Sequence, residues 1–200
     1  MVQLILKNLQ ILLDYYSSIG ERFDLFHSVE KGTFVTGSIK HVAEALTSII
    51  NDLNLQVENK TFLDAGSGDG RVCAIASLLG LKSYGIEYND LITADSQENI
   101  AKLLAQGLFT DSKPVIVQGD IFDDESYKKL GLEFKDINII FNFVTYHEEL
   151  VEKIATESAS GTVFILHSPC PISFRPTKLE FISEIPLVGI YQVMYVYKKP

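Results

Sequence analysis

The chain has 200 residues, a formal net charge of −9 at pH 7 and a sequence pI of about 4.9. This length fits one α/β domain with a short extension, and the acidic balance argues against non-specific nucleic-acid binding, which depends on clustered lysine and arginine. Cys73 and Cys170 have no metal-type spacing and indicate reduced thiols. Together with the lack of a signal-peptide pattern or a membrane-length apolar run, this predicts a cytoplasmic protein that does not require a membrane.

The first part of the chain predicts one helix and one long loop. Apolar residues recur at helical spacing over residues 2–17, which predicts an amphipathic helix that packs on the domain or covers a site. A membrane-surface or partner-binding helix is the alternative. Residues 18–40 contain glycines and several aromatic residues, and they predict a loop that either lines a site or covers the edge of the core. A helix is predicted over residues 39–53.

The stretch T-F-L-D-A-G-S-G-D-G-R (61–71) predicts a strand that leads through a glycine-rich turn into a helix over residues 72–79. Glycine allows positive φ angles and lets a ligand approach the backbone without a Cβ in the way. The free N–H groups of the first helical turn then point at that ligand. The sequence therefore predicts a ligand site at this turn.

Strands and helices alternate through the rest of the chain. The predicted strands are 82–87, 114–119, 137–144, 162–167, 179–185 and 190–197, with helices over 91–106 and 147–158. This order predicts a mainly parallel sheet with right-handed crossovers, and a C-terminal hairpin, joined by a turn containing Pro186 and Gly189, adds an antiparallel strand. Asp64, Glu87, Asp120 and Asn142 fall at or near strand ends, so they are expected along one ligand-binding edge.

The turn does not match the usual nucleotide-binding patterns. Arg71 stands where the third glycine of a dinucleotide fingerprint belongs, and it would obstruct the close packing which that glycine allows. The pattern for nucleoside triphosphates is also missing from the sequence. A nicotinamide-dependent oxidoreductase is therefore disfavoured.

The sequence resembles class I S-adenosylmethionine-dependent methyltransferases in D-A-G-S-G-D-G (64–70), Y-G-I-E-Y-N (84–89) and Q-G-D-I-F (118–122). With F-V-T-G-S (34–38), it is similar to the small lysine methyltransferases related to the ATP synthase c-subunit lysine methyltransferase. The resemblance implies a Rossmann-like α/β fold with a mostly parallel seven-stranded sheet, an antiparallel C-terminal strand and helices on both faces. Residues 39–200 would form the methyltransferase domain, and residues 1–38 a lid or interface.

The resemblance implies S-adenosylmethionine as the cofactor. Asp64 would counter its ammonium or sulfonium charge, Glu87 would accept from the ribose hydroxyls, and Asp120 would accept from the adenine amino group. Alternatively, Asp64 fixes the turn and Asp120 caps a helix. The expected cofactor-binding residues are Thr36, Asp64, Gly66, Ser67, Gly68, Gly70, Glu87, Tyr88, Asn89, Asp120, Ile121 and Asn142.

The acceptor is predicted from N-F-V-T-Y-H (142–147), which lacks the [DNS]-P-P-[YFW] motif of adenine and glutamine methyltransferases. The resemblance implies a protein lysine as the favoured acceptor, and aromatic side chains would desolvate its amine and so supply the neutral form. Candidate aromatic residues are Phe34, Phe141, Phe143 and Tyr146, and the expected catalytic residues are Asn142, Tyr146 and His147. A small-molecule or RNA methyltransferase and a non-catalytic cofactor-binding module are the alternatives. His147 acts as a base or begins a helix, His167 is expected to be structural, and no metal is expected.

Overall fold

The computed structural model describes residues 2–19, 27–29, 32–34, 38–109, 113–187, 189 and 191–200. Its helices are α1 (Val2–Ile19), α2 (Ile39–Asp52), α3 (Arg71–Leu78), α4 (Asp90–Ala105), α5 (Asp124–Lys129) and α6 (His147–Glu157). Its strands are β1 (His27–Val29), β2 (Gly32–Phe34), β3 (Thr61–Ala65), β4 (Lys82–Glu87), β5 (Val115–Gln118), β6 (Ile139–Phe143), β7 (Val163–Ser168), β8 (Glu180–Leu187) and β9 (Gln192–Lys198).

Seven strands form the main sheet in the order β5-β4-β3-β6-β7-β9-β8. The five strands from β5 to β7 run parallel, and β9 runs antiparallel to both of its neighbours. The predicted fold is therefore confirmed. Strand β3 pairs with both β4 and β6, so the strand order reverses beside it, and ligands of such sheets bind in the crevice at this point.

Two hydrophobic cores cover the two faces of the sheet. One contains residues of α1, α2, α3 and α4 together with Phe141 and Ile165, and the other contains residues of α5 and α6 together with Phe164. All five residues of β3 are buried. A central strand that is covered on both faces is buried along its whole length, and this places the Asp64 carboxyl group inside the protein.

Two sequence expectations are wrong in detail. The stretch predicted as a loop over residues 18–40 contains the antiparallel pair β1–β2, whose three-residue strands are too short to show a period of two. Pro186 lies within β8, not in the turn that joins the hairpin. Strand β8 is at the edge of the sheet, where a residue without an N–H group is tolerated.

Helix α1 packs against α2 and α3, and its side chains Leu12, Tyr15 and Tyr16 are buried. The Tyr15 hydroxyl donates a hydrogen bond to the Asn99 side chain at 2.9 Å. These contacts fit a packing helix. Among the helices of the described ranges, none has the length and apolarity that crossing a membrane requires.

Candidate functional site

A cavity of about 180 Å³ opens at the carboxyl ends of the central strands. It extends from the turn after β3, past the end of β4 and the loop after β5, to the ends of β6 and β7. This is the sheet edge at which the sequence places Asp64, Glu87, Asp120 and Asn142, and all four residues line the cavity. The predicted juxtaposition is therefore present.

The glycine-rich turn wraps one end of the cavity. The backbone N–H groups of Gly66 and Ser67 both donate to the carbonyl oxygen of Ile86, at 2.9 Å and 3.1 Å, which ties the turn to β4. Gly66 and Gly68 have φ angles of +90° and +51° and line the cavity. Such left-handed angles favour glycine. Gly70 instead lies behind the turn, where a Cβ would come within 2.8 Å of Ile116.

Glu87 is held in place by the backbone. Its carboxylate accepts hydrogen bonds from the N–H groups of Gly68 and Asn89, both at 2.9 Å. Burial raises the pKa of the Glu87 carboxyl group, and these backbone donors oppose the rise. The Tyr88 N–H also donates to this carboxylate. A carboxylate has about four lone-pair positions, so at least one is left for a donor in the cavity.

Asp64 is a buried carboxyl group without a cationic partner among the residues that the structure describes. The Cys73 thiol lies 3.8 Å from its Oδ2 atom. Burial, and then the charge of Glu87, raise the pKa of Asp64 well above its usual value. A positively charged group in the cavity would therefore stabilise the ionised form.

Ser67 is a buried polar residue of the turn. Its side chain is 3% exposed and lines the cavity, and its hydroxyl oxygen has no hydrogen-bond partner within the described part of the chain. Buried polar groups are normally paired, because leaving one unsatisfied costs roughly 1–3 kcal/mol. A Cβ at Gly85 would meet this hydroxyl oxygen at 2.7 Å, so the hydroxyl packs between the turn and β4 and is not exposed to a ligand in the cavity.

The loop after β5 forms another wall of the cavity. Asp120 accepts the Phe122 N–H at 2.9 Å, and Ile121 and Phe122 also line the cavity. Asp123, not Asp120, is the N-cap of α5, so the helix-cap alternative for Asp120 is wrong. The buried Tyr127 hydroxyl donates to the Ile121 carbonyl oxygen and holds the loop in place.

The part of the cavity at the ends of β6 and β7 is aromatic. It is lined by Phe141, Asn142, Phe143, Thr145, Tyr146 and His167. The Asn142 amide donates to the Ala65 carbonyl oxygen at 2.7 Å and accepts the Thr145 N–H at 3.3 Å. Asn142 therefore joins β3 to the loop after β6. These described residues include no carboxylate, lysine or arginine, so this end is uncharged when the histidine is neutral.

Tyr146 and His147, which the sequence grouped as catalytic candidates, lie in different surroundings. Tyr146 has a left-handed φ of +52°, is 41% exposed and contacts the Phe122 ring edge-on at 6.2 Å. Backbone strain of this kind clusters at functional sites. The His147 ring packs on Phe174 at 4.7 Å and is not among the described residues that line the cavity. It begins α6, as the structural alternative predicted.

Of the remaining residues predicted to bind the cofactor, some line the cavity and others do not. Tyr88 lines it, whereas Asn89 and Gly70 do not belong to its described lining. Asn89 caps α4 with its side chain by accepting the N–H groups of Leu91 and Ile92, and its own N–H fixes Glu87. Thr36 lies outside the described residues. Sequence reasoning missed His167 as a lining residue, although its place at the end of β7 was a usable signal.

The chain was compared with known proteins at three levels. No family model matches it, and no curated protein matches it. Solved structures do match. An RNA methyltransferase from Salinibacter ruber in complex with S-adenosylhomocysteine matches with a TM-score of 0.58 and 18% identity, over 82% of this chain and 94% of that chain. The chain has the class I methyltransferase fold.

Two further structures with this fold show how widely it is used. A mutant of MtNAS in complex with S-adenosylmethionine matches with a TM-score of 0.63 and 14% identity, over 98% of this chain and 72% of that chain. The mitomycin 7-O-methyltransferase MmcR matches with a TM-score of 0.57 and 14% identity, over 82% of this chain and 54% of that chain. The class I methyltransferase fold is thus shared with proteins of different substrates, and the fold does not identify the acceptor.

Proposed function

We propose that this chain is an S-adenosylmethionine-dependent methyltransferase that acts on the side-chain amine of a protein lysine. The observation that carries the proposal is the cavity itself, which joins two buried carboxyl groups beside a glycine-rich turn to an uncharged aromatic end. The first part suits a cationic ligand that carries a ribose. The second part suits an acceptor that reacts in its neutral form.

The residues present fit S-adenosylmethionine. The ionised form of Asp64 would be stabilised by a positively charged group. Glu87 is held by backbone N–H groups and keeps acceptor capacity for the ribose. Asp120 and Ile121 would hold the adenine, with Tyr88 beside the ribose. When bound, the cofactor supplies an electrophilic methyl group. The acceptor lone pair forms the new bond to that methyl group while the S–C electron pair stays on sulfur.

The aromatic end supports an amine acceptor. An amine attacks only when it is neutral, and desolvation lowers the pKa of a lysine and so supplies the neutral form. Phe141, Phe143 and Tyr146 provide this apolar surface. Asn142 fixes the wall by joining β3 to the loop after β6, and we assign it a positioning role. Much of the rate would then come from holding the amine in line with the methyl group.

The proposal is tested by incubating the protein with S-adenosylmethionine carrying a radiolabelled methyl group and an extract of cells that lack the protein. We expect the label in a protein band and, after hydrolysis, in methyllysine. Glu87→Gln should abolish the labelling. Glu98→Gln, which alters an exposed ion pair with Lys102, is the matched control and should retain it. Label in a small-molecule or RNA fraction would overturn the lysine assignment.

A further inference from the structure

His167 is the buried histidine at the acceptor end of the cavity. It is the fifth residue of β7, and its side chain is 1% exposed. The rings of Phe143 and Phe141 approach it edge-on, with centroids at 4.6 Å and 5.9 Å. Its imidazole is therefore enclosed by apolar surface beside the place where the acceptor would enter.

The ring is oriented by a neighbouring strand. Its Nε2 atom lies 2.8 Å from the side-chain oxygen of Gln192, at the start of β9. An amide oxygen only accepts, so Nε2 carries the proton and donates it to Gln192. In a neutral imidazole the other nitrogen, Nδ1, is then an acceptor. The bond to Gln192 is the one hydrogen bond of this ring within the described ranges of the chain.

Burial keeps this ring neutral. It lowers the pKa of His167 to about 4, although the hydrogen bond to Gln192 opposes the shift. A group with such a pKa does not remove a proton from an alkylammonium ion, whose pKa is about 10. His167 is thus suited to accepting a hydrogen bond and not to acting as a general base.

We propose that Nδ1 of His167, with its tautomer fixed by Gln192, accepts a hydrogen bond from an N–H group of the methyl acceptor and thereby orients amines that carry an N–H group. This inference rests on the proposed function, because it assigns a substrate contact within the same site. A neutral primary amine has two N–H donors and one lone pair. Using one N–H for His167 leaves the lone pair free to point at the methyl group.

The same contact favours the transition state. As the amine nitrogen forms its new bond it keeps both hydrogens and gains positive charge, so its N–H groups become stronger donors. A fixed acceptor at Nδ1 gains more from the charged nitrogen than from the neutral one, and such a difference accelerates a reaction. The proton leaves the product amine later, to water, which agrees with the poor basicity of this imidazole.

The test uses the full chain labelled with ¹⁵N at histidine and saturated with S-adenosylhomocysteine, with calorimetry confirming saturation. We expect the nitrogen spectrum of His167 to show a protonated Nε2 and an unprotonated Nδ1. Titration with n-butylamine at a pH of about 10, where much of it is neutral, should shift the Nδ1 resonance towards its hydrogen-bonded position. N,N,N-trimethylbutylammonium, which has no N–H at any pH, should leave it in place.

Two variants separate the possible outcomes. His167→Phe should weaken n-butylamine binding by about tenfold, as expected for a lost hydrogen bond of roughly 1.4 kcal/mol, and should leave the affinity for S-adenosylhomocysteine unchanged. Gln192→Leu should allow the Nδ1–H tautomer to form. A proton on Nδ1 in the unaltered chain, or equal shifts with n-butylamine and N,N,N-trimethylbutylammonium, would overturn the inference. Failure of S-adenosylhomocysteine to bind would overturn the proposed function instead, and calorimetry detects that separately.

Discussion

The hydroxyl group of Tyr16 donates a hydrogen bond to the carbonyl oxygen of Asp69 at 3.1 Å. Asn99 of α4 donates to the same oxygen at 3.1 Å. The Arg71 guanidinium lies 5.0 Å above the Tyr16 ring and is paired with Asp69. Helix α1 is therefore attached to the glycine-rich turn, and we infer that it helps to set the shape of the cofactor site.

Tyr16→Phe removes one of the two donors to the Asp69 carbonyl. Asn99 still donates to that oxygen, so we expect Tyr16→Phe to weaken the binding of S-adenosylhomocysteine only modestly. The expected loss of binding free energy is about 1 kcal/mol, or roughly fivefold in affinity. Calorimetric titration measures it. Tyr195→Phe makes the same chemical change at Ile172, away from the cavity, and serves as the control. Equal losses of affinity in both variants would contradict a specific role of α1.

Asp64→Asn should increase stability at neutral pH while abolishing cofactor binding. The pKa of Asp64 is raised in the folded state, so its contribution to stability is present below its unfolded pKa of about 3.9 and is lost as the pH rises. Asparagine removes this cost. Urea denaturation should therefore show a more stable variant at pH 8 and a smaller difference near pH 4.

The matched control for Asp64→Asn is Asp52→Asn, at an exposed position near the end of α2. It should change neither the stability profile nor the affinity. A variant at position 64 that is less stable than the unaltered chain at pH 8 would mean that Asp64 is structural. Retention of cofactor binding by Asp64→Asn would remove its assigned role in balancing the cofactor's positive charge.

Alanine substitutions at Gly70 and Gly66 should have different effects, because Gly70 packs against the core and Gly66 lines the cavity. Both positions have positive φ, at +84° and +90°. Alanine costs about 1–2 kcal/mol at each for the backbone. At Gly70 the new Cβ would also meet Ile116 at 2.8 Å, whereas at Gly66 no heavy atom lies within 4 Å. The atom met is the terminal Cδ1 methyl of Ile116, which can shift, so overpacking adds about 1 kcal/mol at Gly70, the low end of its usual range.

Urea denaturation should therefore rank Gly70→Ala as the less stable of the two glycine variants. In cofactor titrations at equal concentrations of folded protein, Gly66→Ala should lose more affinity than Gly70→Ala. The reason is that Gly66 lines the cavity, whereas Gly70 lies behind the turn. Equal destabilisation by the two substitutions would show that the space around Gly70 is not limiting.

His167 should make the protein less stable in mild acid. Its folded-state pKa is lowered to about 4, so its contribution is present above the unfolded value of about 6.5 and is lost as the pH falls from there towards 4. The full loss is on the order of 3 kcal/mol at about 1.4 kcal/mol per pKa unit. His167→Asn cannot titrate, so its free energy of unfolding should fall less between pH 7 and pH 4.5. If the unaltered chain and His167→Asn lost the same free energy of unfolding between pH 7 and pH 4.5, this would contradict a buried, neutral His167 ring.

Sequence reasoning located most of the cofactor side of the site because that side follows general rules. Glycines at positive φ and carboxylates at strand ends are visible as letters, and parallel strands bring their carboxyl ends together. Asp64, Gly66 and Glu87 were predicted in this way and do line one cavity. The detailed role of each remains a prediction.

The acceptor side was harder to predict because it depends on packing across the sheet. His147 and His167 are both histidines near strand ends, yet one begins a helix and packs on Phe174 while the other is buried beside Phe143. The partner that orients His167, Gln192, is 25 residues further along the chain on a strand that pairs in antiparallel order. No local pattern reports such a contact.

The central claim is most directly tested by calorimetric titration of the unaltered protein with S-adenosylhomocysteine, S-adenosylmethionine and NAD. The account predicts saturable binding of the two sulfur compounds in the micromolar range, about −8 kcal/mol, no binding of NAD, and loss of binding in Glu87→Gln. Binding of NAD, or unaltered affinity in Glu87→Gln, would contradict the assignment of this cavity to S-adenosylmethionine.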